Sequence, residues 1–346
     1  MSSSLPKLSY VLLSHNREKY IRAAIESAFA QDYEGELEYI FSDDCSTDRT
    51  FEIIKECVAA YKGNRRVVVT QTPRNLHLAG NTNHAVQFVE SDWVIRADDD
   101  DISHVSRCSI IGEAISRHPQ ATSVYARFRI FYDQEEEEIL RISQAQSQKM
   151  PASRVLDSDS TETTMSLFNL PNCLHQAWAT KCYKHELFGE LPVSGYYVDD
   201  VITNYRAIAL GDCIDIDTEC AYIRRQSGNM SCAGDNGQRN YAAIIALEKF
   251  NTKYHTIILP PLRETQAALT SYFCSNKSKG EKLLNNIAEL ISKNEILKDY
   301  WKRGILYRIQ VNKRFARKGL FHYLRCLPMP LFAFMLSLYR LLTQKV

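Results

Sequence analysis

The chain lacks several features that would place it in a common class. No run in its 346 residues approaches the ~18 consecutive apolar residues that cross a bilayer, and residues 1–7 contain no apolar signal segment. Its 10 cysteines are irregularly spaced and include no C-x2-C pair that would suggest a zinc site. We therefore expect a cytoplasmic protein with reduced, mostly buried thiols.

Acidic residues are missing from residues 300–346, which hold ten of the 42 Lys and Arg residues, so the rest of the chain carries 32 basic against 41 acidic residues. Within residues 315–342 the basic residues are interleaved with Leu, Phe, Met and Tyr, a mixture suited to the surface of an anionic membrane. Packing against the acidic body, or against a second copy in a homo-oligomer, is the alternative. Charge alone would also allow a polynucleotide, but the interleaved apolar residues disfavour one, so we expect no nucleic acid partner.

Short apolar runs alternate with helical periodicities over residues 8–131. This alternation predicts an α/β fold with a mostly parallel sheet flanked by helices. Residues 133–164 lose the pattern and predict a loop, with a lid over a substrate as the alternative. Beyond residue 240 the pattern is helical, which predicts a domain at 1–240 and a helical, basic C-terminal region at 241–346. The predicted strands are 8–14, 37–41, 67–69, 93–97 and 122–131; the predicted helices are 20–31, one ending near 61, 79–89 and one ending near 118.

Two acidic clusters follow predicted strands: Asp43 with Asp44, and the acidic run Asp98–Asp101. In parallel α/β sheets, ligands bind beyond the carboxyl ends of the strands. The adjacent carboxylates of the acidic run repel one another unless a cation lies among them, and hard oxygen ligands suit Mg2+ or Mn2+, which commonly bring a phosphate. A solvated acidic turn is the alternative for either cluster alone, but their shared placement favours a metal and phosphate site.

The order of these features resembles the family 2 glycosyltransferases of GT-A fold, a Rossmann-like α/β fold. The resemblance rests on Ser14-His15-Asn16-Arg17 after the first strand, on residues 42–48 (Ser-Asp-Asp-Cys-Ser-Thr-Asp) after the second, and on the acidic run after the fourth. It covers about residues 1–232 and is most specific in residues 1–105. It implies an inverting enzyme that transfers a sugar from a nucleotide-sugar.

Carried over by position, the resemblance assigns Asp43 and Asp44 to the uracil ring and ribose of a UDP-linked donor. It places Ser14, His15 and Asn16 in the lining of the base pocket. The family more often has Tyr or Phe where His15 stands, although an imidazole can also stack on a base.

The family's Asp-x-Asp-Asp motif overlays the acidic run. Asp98 would then face the ribose or the metal, with Asp99 beside it on the donor, and Asp100 would hold Mn2+ or Mg2+ on the diphosphate. A register shifted by one is the alternative, because Asp also fills the variable position.

Two further positions are candidates for the donor side. Arg74 could reach a phosphate or pair with a carboxylate, with an exposed loop Arg as the alternative. Asn83 matches an Asn on the family's third helix. In the turn before that helix the family has Asn-x-Gly, where this chain has Asn75-Leu76-His77.

The resemblance also implies the catalytic base. Asp200 would take the proton from the acceptor hydroxyl, with Asp199 as the reserve; a helix N-cap is the alternative role for this pair. Arg224 and Arg225 would neutralise phosphates, in a stretch where Gln226 replaces a family His.

These residues together imply a metal-dependent hexosyltransferase that moves a sugar to a glycan or lipid-linked glycan acceptor in a single displacement. If residues 300–346 bind lipid, the enzyme would lie at the inner face of the membrane. A non-catalytic nucleotide-sugar-binding protein of the same fold is one alternative. A sugar nucleotidyltransferase is another, but it should carry an early glycine-rich phosphate loop, and residues 8–20 contain no glycine.

Overall fold

The structure is a computed structural model, and it describes residues 5–145, 153–156, 181–188, 191, 203, 207 and 211–225. These residues belong to one compact unit built from residues 1–158 and 176–233. No helix in this part of the chain is long and apolar enough to cross a membrane. The predicted C-terminal region 241–346 lies outside the described residues, so its membrane or oligomer contact and the boundary at residue 240 stay predictions.

The first half of this unit alternates strand and helix, as predicted. Both β1 and β2 are buried along their full length, which is the pattern of parallel strands covered on both faces. The strand order is β3-β2-β1-β4, all parallel, for the strands β1 (Leu8–Ser14), β2 (Leu37–Asp43), β3 (Val67–Gln71) and β4 (Trp93–Asp98). Three helices connect them: α1 (Ile21–Phe29), α2 (Thr50–Ala60) and α3 (His77–Ala85), the last continued by a 3-10 turn at Val86–Phe88.

Beyond β4 the sheet becomes mixed. The further elements are β5 (Ile102–Ser103), α4 (Arg107–Arg117), β6 (Ser123–Phe131), α5 (Glu136–Ser143), β7 (Ser153–Leu156), β8 (Lys181–Lys184) and β9 (Cys213–Arg224), with 3-10 turns at Asp133–Glu135 and His185–Phe188. β8 pairs antiparallel with both β4 and β6, and β6 pairs parallel with β9. β5 and β7 both pair antiparallel with β9. The described strands thus form one 9-stranded sheet.

An apolar stripe along α1 fixes this predicted helix on the sheet. α1 buries Ile21, Ala24, Ile25 and Ala28, and these side chains join residues of β1, β2 and β4 in one core. Fully burying an Ile side chain stabilises the fold by roughly 1.5–3 kcal/mol. The docked helix holds the connection after β1, residues 15–20, at the carboxyl edge of the sheet.

The loop predicted from Asp133 onward is wrong in its first part, because Glu136–Ser143 is the helix α5. The charge run places Glu136–Glu138 in the first turn, where carboxylates interact favourably with the positive end of the helix dipole. Ile139 anchors the helix, since it is 3% exposed and packs in a small core with Ile102, Phe131 and Tyr222. Leu140 and Ile142 pack against the same core but are only partly buried, so a single fully buried apolar residue among charges was too weak a periodic signal to predict the helix.

Candidate active site

The two predicted acidic clusters meet at one edge of the sheet. β1 lies between β2 and β4, with Ser14 opposite Asp43 and Leu13 opposite Asp98. The carboxyl end of β1 is therefore the place where the strand order reverses, which is where open α/β sheets bind their ligands. The Asp43–Asp44 turn borders this place on one side and the acidic run on the other.

Asp43 is completely buried at the end of β2. Its carboxylate accepts hydrogen bonds from the main-chain N of Ser46 and from Nε2 of Gln71, both at 2.8 Å, and from Oγ of Ser46. Oγ of Ser14 also donates to it, at 3.4 Å. Cys45 adopts a left-handed φ of 52°, which lets the turn close around the carboxylate. The charge of Asp43 is thus stabilised by neutral N–H and O–H donors.

Asp44 holds the loop that follows β3. One oxygen of its carboxylate, Oδ1, accepts from Oγ1 of Thr72 and from the main-chain N of Leu76, both at 2.8 Å. Arg74 lies in this loop with its side chain exposed. The Asp43–Asp44 turn therefore fixes the predicted phosphate ligand Arg74 beside the end of β1 through the backbone of residues 72–76.

His15 joins the Asp43–Asp44 turn to the acidic run. Its Nδ1 is 2.8 Å from the main-chain O of Asp44, and its main-chain N donates to Oδ2 of Asp99 at 2.8 Å. On the other side of the ring, Nε2 is 3.0 Å from Nδ2 of Asn75. One residue of the predicted base pocket therefore contacts both acidic clusters and the loop after β3.

The neighbours of His15 define its tautomer. Oδ1 of Asn75 accepts from the main-chain N of His77 at 2.9 Å, and Oδ1 of Asn16 accepts from the main-chain N of Thr47 at 2.8 Å. Both amides therefore turn their N–H groups towards Nε2 of His15, which must accept, so Nδ1 carries the proton. The hydrogen bond between Asn75 and His15 links the loop after β3 to the loop after β1. His77, where the family has Gly, adopts a left-handed φ of 59°.

Arginines face the carboxylates of the acidic run. NH1 of Arg96, which is 1% exposed, donates to Oδ1 of Asp98; the two residues lie two apart in β4 and so on the same face of the sheet. Nε of Arg17 lies 3.7 Å from Oδ1 of Asp99 and 3.7 Å from Oδ2 of Asp100. Arg17 comes from the loop after β1, and Arg96 lies in β4. The positive charge that faces the acidic run therefore comes from two neighbouring elements of the sheet edge.

Arg224 secures the end of the acidic run, and this explains why it is buried. Its main-chain N donates to Oδ1 of Asp101 at 2.9 Å, and its Nε donates to the main-chain O of Asp100 at 3.0 Å. NH1 forms ion pairs with Asp133 at 2.9 Å and Glu136 at 3.0 Å. The predicted phosphate ligand Arg224 thus pairs with carboxylates of the 3-10 turn and α5, and it acts as a positioning residue for the backbone of the run.

The negative charge of the acidic run shifts the pKa values of its own carboxyl groups. Burial, and then the neighbouring Asp100 carboxylate, raise the pKa of Asp99 well above its usual value, and the same two causes raise the pKa of Asp101. The pKa of Asp133 is instead lowered to about 2, first by its hydrogen bond from Lys19 and then by that from Arg224. The run is therefore crowded with negative charge despite its arginines, and a further cation would relieve it.

The donor chemistry of the run fits Mg2+ or Mn2+. Carboxylate oxygens are the ligands these ions prefer, and one or two of them commonly suffice when phosphate oxygens complete the shell. The side chain of Asp98 is 32% exposed and that of Asp100 is 14% exposed, so both are accessible from solvent. Within the described residues, no group of three or more His, Cys, Asp or Glu side chains is arranged to hold a metal ion by itself.

Several residues that the sequence assigned to the site are engaged elsewhere or lie outside the described residues. Asn83 forms a two-way pair with the main chain of Leu191, at 2.7 and 3.0 Å, so its amide ties α3 to that segment. The main-chain N of Arg225 donates to the main-chain O of Phe131 at 2.8 Å, and the phosphate contact of its side chain stays a prediction. Outside the described residues lie Asp199, Asp200 and Gln226.

The sequence named Arg17 and Asn75 only as members of family motifs and assigned no role to them or to Thr72. A signal existed for Arg17, because four adjacent carboxylates demand positive charge and Arg17 directly follows the predicted base-pocket residues. Thr72 and Asn75 act through hydrogen bonds between loops, for which the sequence carries no periodic signal.

The sequence of this chain also matches a known protein family. The profile of the family described as "Glycosyl transferase family 2" matches residues 9–185. The chain belongs to this family. The matched segment contains β1 to β4, the Asp43–Asp44 turn and the whole acidic run, which confirms the predicted family on the residues that carried the prediction.

Individual relatives cover parts of the chain. Putative glycosyltransferase EpsE of Bacillus subtilis (strain 168) is 35% identical over 105 residues, which are 30% of this chain and 37% of EpsE. Poly(ribitol-phosphate) beta-N-acetylglucosaminyltransferase TarS of Staphylococcus aureus (strain Mu50 / ATCC 700699) is 33% identical over 97 residues, 28% of this chain and 16% of TarS. Each relative is thus matched over well under two thirds of its own length.

The fold also resembles a solved structure. The crystal structure of S. aureus TarS 1-349 in complex with UDP-GlcNAc aligns with a TM-score of 0.61 and 16% identity, over 88% of this chain and 87% of that one. At this identity the likeness concerns the fold, and it confirms the predicted GT-A architecture.

Proposed function

We propose that this family member transfers a sugar from a UDP-linked nucleotide-sugar to a hydroxyl of a glycan or lipid-linked glycan, with inversion at the anomeric carbon and with Mn2+ or Mg2+ as the cofactor. The observation that carries the proposal is the junction at His15. Through its ring and its main-chain N, His15 links the Asp43–Asp44 turn to the acidic run, so the two clusters flank one site at the end of β1.

Each side of the site has its own task in this proposal. Asp43 and Asp44 bind the base and ribose, within a wall completed by Ser14, His15 and Asn16. Asp98 and Asp100 hold the cation, with Asp99 beside them and Arg74 near the phosphates. A divalent cation bound there supplies Lewis-acid stabilisation of the charge on the departing diphosphate. The match to TarS, whose name and crystal complex point to UDP-GlcNAc, supports a UDP-linked donor.

The acceptor side of the reaction rests on the family resemblance. Asp200 acts as the general base that takes the proton from the acceptor hydroxyl, with Asp199 as the reserve. Because the attacking hydroxyl and the leaving diphosphate lie on opposite faces of the sugar, a single displacement inverts the configuration and needs no enzyme nucleophile. General-base assistance of this kind is worth ~10²–10⁴-fold in rate.

The experiment is a calorimetric titration with a panel of nucleotide-sugars, UDP-GlcNAc first, with and without Mn2+, followed by product analysis. We expect UDP-sugars to bind more tightly with Mn2+. Asp100→Ala should remove the Mn2+-dependent part of the affinity, whereas Glu113→Gln on the surface of α4 should not. Asp200→Asn should retain binding and lose ~10²–10⁴-fold in turnover.

The outcomes separate this function from its alternatives. Binding of UDP-sugars without transfer to any glycan acceptor would favour a non-catalytic binding protein. Formation of a nucleotide-sugar from a nucleoside triphosphate and a sugar phosphate would show a nucleotidyltransferase. Unchanged turnover in Asp200→Asn would assign the base to another residue.

A further inference from the structure

Arg17 lies between two carboxylates of the acidic run without forming a hydrogen bond to either. Its Nε is 3.7 Å from Oδ1 of Asp99 and 3.7 Å from Oδ2 of Asp100, which is ion-pair range and too long for a hydrogen bond. The Nε atom is buried and has no hydrogen-bond partner among the residues that the structure describes. The contact is therefore electrostatic attraction without a directional bond, and another cation can replace it with little loss.

The position of Arg17 is set by the loop, independently of the carboxylates. Its main-chain N donates to Oγ1 of Thr50 at 2.7 Å, and its main-chain O accepts from the N of Tyr20 at 2.9 Å and of Ile21 at 3.0 Å. NH1 donates to the main-chain O of Asn16 at 3.1 Å. The guanidinium is thus held at the edge of the acidic run even when the carboxylates change partner.

The other arginines at this edge have different partners. Arg96 donates to Asp98 within β4, and NH1 of Arg224 faces Asp133 and Glu136. Arg17 instead lies in ion-pair range of both Asp99 and Asp100, so its charge is close to the proposed cation ligand Asp100.

We propose that Arg17 is the internal counter-ion of the acidic run, which holds Asp99 and Asp100 together in the absence of a divalent cation and competes with that cation for Asp100. The inference rests on the proposed function, because it concerns the cation that this function requires. Two positive charges a few ångströms apart repel each other. Arg17 therefore lowers the affinity of the run for a divalent cation, and its removal raises that affinity.

The test is Mn2+ binding to the full chain without nucleotide, measured by electron paramagnetic resonance of free Mn2+. Arg17→Met should bind Mn2+ about tenfold more tightly than the wild type, a change equivalent to about 1.4 kcal/mol. Arg17→Lys, which keeps the charge, should retain the wild-type affinity. The matched control is Arg22→Met, because Arg22 forms a surface ion pair with Glu56 at 2.6 Å and its loss should leave Mn2+ binding unchanged.

Two further variants secure the assignment. The gain in Arg17→Met should vanish when it is combined with Asp100→Ala, which locates the extra affinity on the acidic run. Arg17→Gln is the second neutral variant, with the same expectation, should Arg17→Met fail to fold.

A purely structural Arg17 gives the opposite result. If its loss only loosened the loop, neutral variants would bind Mn2+ equally or more weakly, and that outcome overturns the proposal. Sugar transfer by the wild type, together with unchanged Mn2+ affinity in the neutral variants, overturns the role of Arg17 alone. Absence of both Mn2+ binding and transfer overturns the proposed function as well.

Discussion

The Asp43–Asp44 turn and the acidic run lie on either side of His15, yet their carboxylates are stabilised in different ways. Neutral donors from Ser46, Gln71, Thr72 and the backbone satisfy the turn, whereas arginines face the run. Directional hydrogen bonds fix the geometry of a carboxylate, while a counter-ion balances its charge and can be exchanged for another cation. The comparison indicates that the Asp43–Asp44 turn is rigid and suited to recognition, whereas the acidic run next to it is suited to exchanging one cation for another.

The largest expected loss of stability comes from disrupting the Asp43–Asp44 turn. In Asp43→Asn the new amide must place an N–H group against the donors of Ser46 or Gln71, and each buried polar group left without a partner costs ~1–3 kcal/mol. We expect the free energy of unfolding to fall by about 3 kcal/mol, measured by urea denaturation monitored by circular dichroism. Asp99→Asn, in the run, should not lose stability. Equal losses in the two variants would show that the two sides are not built differently.

The next effect sharpens the comparison through pH. The pKa values of Asp99 and Asp101 are raised above the ordinary 3.8 by burial and by Asp100, so above that pH the folded chain retains protons that the unfolded chain has released. The free energy of unfolding should therefore fall as pH rises from about 4 through the raised pKa values. Each unit of raised pKa corresponds to about 1.4 kcal/mol.

Asp99→Asn provides the control for this pH dependence. An Asn resembles the protonated carboxyl group, so the variant should show a flatter profile and a higher free energy of unfolding than the wild type near pH 7. Mn2+ should stabilise the wild type there. Asp133, with its pKa lowered to about 2, predicts a separate loss as the pH falls below about 4, because the folded chain then resists protonation. An unaltered slope in Asp99→Asn would contradict the assignment to this group.

The sequence predicted the parts of this site that follow from strand order. Buried apolar runs marked β1, β2 and β4, and the rule that ligands bind at the carboxyl ends of parallel strands placed Asp43 and Asp98 at one edge. The stripe of α1 was equally clear, because burial on one face repeats with the period of a helix.

The sequence could not predict which partners satisfy these carboxylates. Arg224 reaches the run from a strand 124 residues away, and no local pattern encodes such a pairing. The role of His15 depends on Asn75, which lies 60 residues further on. The helix α5 was missed because its one strong anchor, Ile139, packs against Phe131 and Tyr222 from other strands. Tertiary contacts decided all three, so local periodicity carried little information about them.

The smallest expected change in stability tests whether the loop after β3, which Asp44 holds, carries backbone strain. His77 has a left-handed φ of 59°, held by the hydrogen bond from its main-chain N to Oδ1 of Asn75 at 2.9 Å. This conformation costs a residue with a Cβ roughly 1–2 kcal/mol, whereas Gly adopts it freely but loses roughly 0.5–1 kcal/mol through its more flexible unfolded state. Because the His77 side chain is exposed, His77→Gly removes little packing, and the strain relief should dominate. We expect a gain of about 0.5 kcal/mol in the free energy of unfolding.

His118→Gly is the matched control, since His118 has a φ of −134° and offers no such relief, so it should lose stability. If both variants lost stability equally, the left-handed conformation of His77 would carry no strain that Gly relieves.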